Sequence, residues 1–164
     1  MQRSLIFTLI LCLVCKPLFV AAQGTAVSFG TLKANTELPV EVTSESLDVN
    51  QGDGSALFEG AVLISQGDMR LSADSVRVIN KSEGRGIERL EARGNVVLVS
   101  GPDAAESNEA DYTVESGEVL MRGNVLVTQG ATSISAESMT VDLTTGNAVL
   151  SGRVKTILNT GGSD

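Results

Sequence analysis

The chain has 164 residues, with 12 Lys and Arg against 20 Asp and Glu, and a formal net charge of −8. It contains no His and no Trp, and its two Cys stand at positions 12 and 15. The charge balance argues against binding nucleic acid or an anionic lipid surface, because both need clustered cations. The composition also gives little support to His-based or thiol catalysis or to a zinc site. We therefore expect no enzyme, no metal and no cofactor.

Residues 1–22 are predicted to be a secretory signal peptide. Arg3 precedes an apolar run from Leu5 to Cys15, and the small residues Ala21 and Ala22 offer a cleavage site. The run is shorter than the roughly 20 residues that span a bilayer. Cleavage would remove both Cys together with Arg3 and Lys16, so the mature chain would have a net charge of −10 and no disulfide. A retained membrane anchor is the alternative.

The rest of the chain is predicted to be one all-β domain over 36–158, preceded by a flexible segment over 23–35 and followed by a flexible tail over 159–164. Apolar and polar residues alternate with period two, as in Met69, Leu71 and Ala73 against their polar neighbours. No sustained helical period follows the signal. Gly52-Asp53-Gly54 predicts a hairpin turn, and the polar stretch 80–86 predicts a loop.

A 23-residue stretch occurs twice without a gap, at 56–78 and 119–141. The copies share ten identical positions, at Leu57/Leu120, Gly60/Gly123, Val62/Val125, Leu63/Leu126, Gln66/Gln129, Gly67/Gly130, Ser72/Ser135, Ala73/Ala136, Ser75/Ser138 and Val78/Val141. A repeated unit that cannot bury its own apolar face stacks on its neighbours. The duplication therefore favours an extended β surface over a single catalytic pocket.

Four Gly residues, each followed by one residue and then Val, are predicted to mark the changes from one strand to the next: Gly60, Gly94, Gly123 and Gly152. In both copies of the repeat the apolar alternation also slips by one residue. Such a slip would turn half of the strand inside out unless a bulge absorbs it. We therefore predict a bulge or sharp bend near Asp74-Ser75 and another near Glu137-Ser138. The alternative is that Ala73 and Ala136 are small enough to face either way.

Residues 36–158 resemble the OstA-like family of lipopolysaccharide transport proteins. The resemblance rests on the strand with Pro39, on Ser44 to Val49, on Phe58 to Gly67 and on Ala73 to Val78, and it continues through 123–130. It implies an antiparallel β jelly roll in which two facing sheets form an open, boat-shaped groove.

The resemblance also implies a set of residues that line the groove and bind lipid. Thr36 and Val40 match positions at its mouth, and alternation extends the set inward. In 96–99 every residue is apolar, so the inward pair there is uncertain. The expected lining is Thr36, Val40, Val42, Leu47, Val49, Phe58, Val62, Ile64, Val76, Val78 and Leu98. Plain core packing is the alternative for each of them.

Function and partners follow from the same resemblance. It implies a periplasmic protein that carries the lipid A acyl chains of lipopolysaccharide and bridges the inner and outer membranes during outer-membrane assembly. It implies head-to-tail association with itself and contacts with inner-membrane LptC, LptF and LptG and outer-membrane LptD. The terminal strands near 38–42 and 153–158 are the candidate pairing edges. Two alternatives stay open: a structural or adaptor protein of the envelope, and an LptC-like subunit that keeps its membrane anchor.

Overall fold

The computed structural model describes residues 35, 37–82 and 85–158, together with the backbone of Thr25–Ser28. The predicted signal peptide and the tail 159–164 lie outside the described residues. Within the described part, every regular element is a β-strand. The strands are β1 (Thr25–Ser28), β2 (Glu41–Thr43), β3 (Ser46–Asn50), β4 (Ser55–Gln66), β5 (Met69–Asn80), β6 (Ile87–Ser100), β7 (Asp103–Thr113), β8 (Glu118–Gln129), β9 (Thr132–Asp142), β10 (Asn147–Ser151) and β11 (Lys155–Leu158).

The strands form one antiparallel sheet in which neighbours along the chain are mostly neighbours in space. The order is β1-β10-β9-β8-β7-β6-β5-β4-β2, with β3 also pairing β4 and β11 also pairing β9. The predicted all-β antiparallel class is confirmed, and so is the hairpin turn between β3 and β4. The loop predicted over 80–86 corresponds to the connection from β5 to β6, of which 83–84 lie outside the described residues. The sequence predicts a flexible segment over 23–35, but Thr25–Ser28 within it forms β1. This strand occupies the edge of β10, in a register that places Thr25 opposite Leu150.

The long strands β4 to β9 share one irregularity near their middles, and it divides the sheet in two. The pairing register shifts between Glu59 and Val62 in β4 and between Arg93 and Val96 in β6, with equivalent shifts across the neighbouring pairs. We call the two parts half I and half II. Half I consists of β2, β11 and the segments 62–66, 69–72, 96–100, 103–107, 125–129 and 132–136. Half II consists of β1, β3, β10 and the segments 55–59, 75–80, 87–93, 109–113, 118–122 and 138–142.

The chain bends at this dividing line through pairs of residues in the left-handed backbone region. A Gly with φ between 77° and 82° is followed by a residue with φ between 42° and 52°. We call these pairs the corners: Gly60–Ala61, Gly94–Asn95, Gly123–Asn124 and Gly152–Arg153. Two consecutive left-handed residues bend a strand while its pairing continues on both sides.

The corners correct one prediction and confirm another. The prediction that the four Gly mark strand changes is wrong for Gly60, Gly94 and Gly123, which lie inside β4, β6 and β8. Of the four, only Gly152 lies between two strands, β10 and β11. The predicted bulge or bend is confirmed near both places, because the register shifts between Ser72 and Ser75 and again where Glu137 faces the Gly123–Asn124 corner. The extra residue of each irregularity lies on the facing strand.

The inner faces of the two halves pack against each other and share one hydrophobic core. We call the space between them the trough, and we call the side opposite the corners, where the hairpin turns lie, the mouth. The two facing sheets implied by the resemblance are thus two halves of one continuous sheet, because β4 to β9 each run through the bend. Within the described residues no helix is long and apolar enough to cross a membrane.

Candidate functional site

The inner face of half II is built from two parallel rows of side chains that run across the strands. Cross-strand pairing defines the rows, since residues of one row face each other on successive strands. The row beside the corners is Leu47, Phe58, Val76, Ala92, Ala110, Met121, Met139 and Leu150. The next row is Val49, Ala56, Val78, Leu90, Tyr112, Val119, Val141 and Ala148. Apart from Tyr112, every member is apolar.

The inner face of half I changes from apolar to polar towards the mouth. Its middle row is aliphatic and is continued by Thr156 of β11, which pairs with the last member. The members are Val42, Ile64, Leu71, Leu98, Ala105, Val127 and Ile134. The outermost positions, next to the hairpin turns, are mostly polar: beside the buried Met69, they hold Gln66, Ser100, Asp103 and Gln129. The first three are buried, and Gln129 Nε2 donates to Asp103 Oδ2 at 3.2 Å. Polar groups therefore line the rim of the trough, and beside the corners the buried Ser107 is paired with Val96.

A hydrogen bond joins the two halves at the mouth. The Tyr112 hydroxyl on β7 of half II donates to Gln66 Oε1 on β4 of half I at 2.6 Å. Gln66 Nε2 donates in turn to the carbonyl of Leu38 at 2.9 Å. Both side chains are about 1% exposed, and burial raises the pKa of Tyr112. In the sheet order β5 and β6 separate β4 from β7, so the contact crosses the trough.

The predicted lining residues fall into three environments. Val62, Ile64, Val76, Val78 and Leu98 are buried in the core between the halves. Val40, Val42 and Phe58 are partly buried and pack against it, whereas Leu47 and Val49 are 52% and 63% exposed. Thr36 lies outside the described residues. In 96–99 the inner pair is Val96 and Leu98, while Val97 and Val99 lie on the outer face.

The apolar inner face is uncovered at the ends of the sheet. Leu47 and Val49 project from β3 at one end, on the inner face of half II. At the other end Leu158 of β11 pairs with Thr132 on the inner face of half I and is 66% exposed. The candidate edges predicted near 38–42 and 153–158 correspond to β2 and β11, both of which are edge strands. On half II the edges are β3 and β1.

A cluster of paired charged groups lies on the outer face of the sheet. Arg93 donates to Asp111 Oδ1 at 2.8 Å, and Arg122 pairs with the other oxygen of the same carboxylate. Burial raises the pKa of Asp111, but the hydrogen bonds from the two guanidinium groups outweigh it, so the pKa lies below its ordinary value. This cluster stabilises neighbouring strands β6, β7 and β8. It does not reach the trough.

A shallow outer depression of about 450 Å³ lies beside the Gly123–Asn124 corner. Leu126, Glu137 and Arg153 are among its lining residues. Arg153 Nε donates to Glu137 Oε1 at 2.7 Å across it, so its charges already pair with each other. The depression is separated from the trough by the sheet itself.

The residues that sequence reasoning missed are Tyr112 and the polar rim. Gln66 and Gln129 are equivalent positions of the repeat, and each ends a strand at the mouth. Their recurrence before Gly67 and Gly130 was a readable signal. The pairing of Gln66 with Tyr112 was not, because 46 residues separate them.

A bent antiparallel sheet with an aliphatic inner face and uncovered ends defines a class of protein built around an apolar interior. A family model described as "LptA/(LptD N-terminal domain) LPS transport protein" matches residues 41–147. The chain therefore belongs to this family of lipopolysaccharide transport proteins.

Two further comparisons found a similar sequence and a similar fold. The chain is similar to an uncharacterised protein of Rhizobium meliloti (strain 1021), with 26% identity over 145 residues, covering 82% of this chain and 78% of the relative. Its fold is similar to that of LptH, described as the LptA homologous periplasmic component of the conserved lipopolysaccharide transport device from Pseudomonas aeruginosa. The TM-score is 0.67 at 19% identity, over 77% of this chain and 99% of LptH.

Proposed function

We propose that this chain, after removal of residues 1–22, is a periplasmic carrier that holds the lipid A acyl chains of lipopolysaccharide in the trough. The observation that carries the proposal is the continuous aliphatic inner face, which extends across the sheet from Val49 to Ala148 in half II. Family membership supplies the ligand class, and the periplasmic location described for LptH supports the compartment.

An aliphatic interior suits the energetics of moving a lipid through water. Exposing an acyl chain of about 12 carbons to water costs roughly 10 kcal/mol of free energy, at about 0.8 kcal/mol per methylene. Contact with side chains such as Ile64, Leu71 and Leu98 offsets that cost without directional bonds. Transfer between two similar interiors is then nearly neutral in free energy, as transport along a series of carriers requires.

The uncovered ends support head-to-tail association as the means of bridging the two membranes. β2 runs antiparallel to β4, and β11 runs antiparallel to β9. Five antiparallel pairings lead from β4 to β9, so these two strands run in opposite directions, and so do their partners β2 and β11. When a second copy is translated along the sheet, its β2 therefore runs antiparallel to β11 of the first. Their pairing would extend half I from one protomer into the next and cover Leu158. LptC, LptF and LptG at the inner membrane and LptD at the outer membrane are the proposed partners at the two termini of such a bridge.

A direct test places a photoreactive amino acid at two adjacent positions of β6. Leu98 lies on the inner face and Val97 on the outer face of the same strand. Cross-linking in cells should attach lipopolysaccharide to position 98 and much less to position 97. Equal labelling of the two positions, or none at position 98 in a folded protein, would refute lipid carriage in the trough.

A structural or adaptor role is the second candidate, and the packing of the interior favours it. Core residues from both halves, including Ile64, Leu98 and Met121, are fully buried in one shared core. An adaptor would use only the edge strands and keep this interior closed. The same cross-linking experiment separates the two: an adaptor would be cross-linked to envelope proteins from β2 or β11 and to no lipid from position 98.

The remaining alternative is an LptC-like subunit held in the inner membrane by residues 1–22. N-terminal sequencing of the protein from the native envelope decides between the two. A mature chain that begins near Gln23 supports the periplasmic carrier. A chain that still begins at residue 1 and sediments with the inner membrane supports the anchored subunit.

A further inference from the structure

The closed mouth has a consequence for how a ligand enters, and this inference rests on the proposed function. The inner faces of both halves are buried against each other, and Ile64, Leu98 and Tyr112 are at most 1% exposed. A ligand held between the halves must therefore separate them. The bend at the corners joins the halves along one side, so separation takes place at the mouth.

We propose that the Tyr112–Gln66 hydrogen bond is a latch that holds the mouth closed and that it breaks whenever the trough opens. The bond links half II to half I at 2.6 Å, at a position where each partner is about 1% exposed. Tyr112 is also the one polar side chain in the two inner rows of half II described above. A hydroxyl placed there has no role in lining an aliphatic interior, but it has a partner directly across the mouth.

Gln66 is itself held in place by the segment that leads into β2 of half I. Its Nε2 atom donates to the carbonyl of Leu38 at 2.9 Å, which orients Oε1 towards Tyr112. On the other side of the latch, Tyr112 sits in β7 between Leu90 of β6 and Val119 of β8. Each partner is therefore anchored within its own half, and moving the halves apart stretches this bond directly.

The corners, by contrast, keep the halves connected on the opposite side. Asn95 Nδ2 donates to Asp74 Oδ2 at 2.9 Å, and Arg153 Nε donates to Glu137 Oε1 at 2.7 Å. These contacts bridge neighbouring strands along the bend and do not cross the mouth. Opening can break the latch while they remain intact.

The test measures opening without any ligand, through the reactivity of a cysteine in the trough. Leu98→Cys supplies a single thiol in the mature chain, which has no other Cys after removal of residues 1–22. We expect Tyr112→Phe to raise its rate of modification by a maleimide about tenfold, as loss of one buried hydrogen bond allows. Val97→Cys, on the outer face of the same strand, should react at a rate that Tyr112→Phe does not change.

Global destabilisation is controlled by the neighbouring residue. Asp111 follows Ala110 and precedes Tyr112 on β7 but faces outwards, where it pairs with Arg93 and Arg122. Asp111→Asn should lower overall stability and leave the Leu98→Cys rate nearly unchanged under native conditions. If Asp111→Asn accelerates modification as much as Tyr112→Phe does, or if Tyr112→Phe has no effect, the latch is refuted.

A second variant pair tests whether opening serves loading. In the Gln66→Cys/Tyr112→Cys double variant, a short reducible bis-maleimide should hold the mouth closed. Uptake of purified lipopolysaccharide should fall at least tenfold and return when the linker is cleaved. Normal uptake by the linked protein overturns the gating role of the latch. Absence of uptake by every variant, while Tyr112→Phe still accelerates cysteine modification, refutes the proposed function and leaves the latch standing.

Discussion

The side chain of Asn108 on β7 fills the space that a side chain at Gly123 on β8 would occupy. A Cβ atom on Gly123 would lie 2.8 Å from Asn108 Nδ2, and Gly123 has a φ of +79°. Gly60, Gly94 and Gly152 repeat the relationship with Glu45, Asp74 and Glu137. The bend of the sheet therefore depends on a Gly at the corner and a polar side chain from the neighbouring segment of the chain.

Gly123→Ala should destabilise the fold by about 2 kcal/mol or more, since it adds a steric clash to the cost of a left-handed backbone. Gly130→Ala is the matched control, because Gly130 has a φ of +55° with no atom within 4 Å of the added Cβ. Gly130→Ala should lower the free energy of unfolding by only about 1 kcal/mol, the cost of a left-handed backbone at a residue with a Cβ atom. Denaturant unfolding measures both. Equal losses of stability in the two variants would show that the clash with Asn108 does not destabilise the fold.

Ala61→Gly should stabilise the protein by about 0.5 kcal/mol. Ala61 has a φ of +45° at its corner, a conformation that Gly adopts without the strain of a Cβ atom. Ala104→Gly, in the extended part of β7, should instead lose about 0.5–1 kcal/mol, because Gly gains entropy in the unfolded chain. A loss of thermal stability in Ala61→Gly would contradict the strain assigned to this corner.

Asp111→Asn should destabilise the fold by about 1 kcal/mol at neutral pH, because it leaves Arg93 and Arg122 side by side without their shared carboxylate. The pKa of Asp111 is lowered in the folded state. Its contribution is therefore present above its unfolded pKa of about 3.9 and is lost as pH falls through the lower folded value.

Urea unfolding between neutral pH and about pH 3 measures this loss. The difference between the original protein and Asp111→Asn should shrink as Asp111 becomes protonated. Glu115→Gln is the control: Glu115 pairs with Lys81, but its side chain is 78% exposed, and no measurable loss is expected. A difference that stays constant down to pH 3 would contradict the shared ion pair.

The fold should lose stability above about pH 10 through Tyr112. Burial raises the pKa of Tyr112 in the folded state. The unfolded chain then releases the phenolic proton first, at about pH 10, so stability is complete below that pH and falls as pH rises towards the folded pKa. Tyr112 is the only Tyr in the chain, so absorbance of the tyrosinate reports its titration directly. Tyr112→Phe should remove this contribution to the alkaline loss.

Val49→Asp should weaken self-association with little effect on folding. Val49 is 63% exposed at the β3 end of the inner face, where head-to-tail contact would bury it, and an acidic group there would be desolvated without a partner. Val149→Asp is the control, because Val149 is 45% exposed on the outer face of β10. Sedimentation velocity should show dissociation for Val49→Asp and an unchanged distribution for Val149→Asp. Equal behaviour would argue against the β3 end as a contact surface.

The sequence by itself determined the strand composition, the aliphatic inner face and the existence of bulges. These are local properties: alternation with period two assigns each residue to a face, and the slip at Asp74 and Glu137 requires an irregularity in the strand pairing there. The duplicated unit corresponds to the β4–β5 and β8–β9 hairpins, each with a corner and a turn at equivalent Gly positions.

Only the tertiary structure decided what the Gly residues do and how the trough closes. A Gly followed by a polar or small residue and Val is compatible with a turn between strands and with a bend inside one strand. Which of the two forms depends on whether neighbouring strands pair with the chain on both sides of the Gly, and those strands are distant in sequence. The hydrogen bond between Tyr112 and Gln66 depends on the fold of the whole sheet, because it joins residues that two intervening strands separate. The sequence specifies an apolar surface, and the bend at the corners turns that surface into a closed interior.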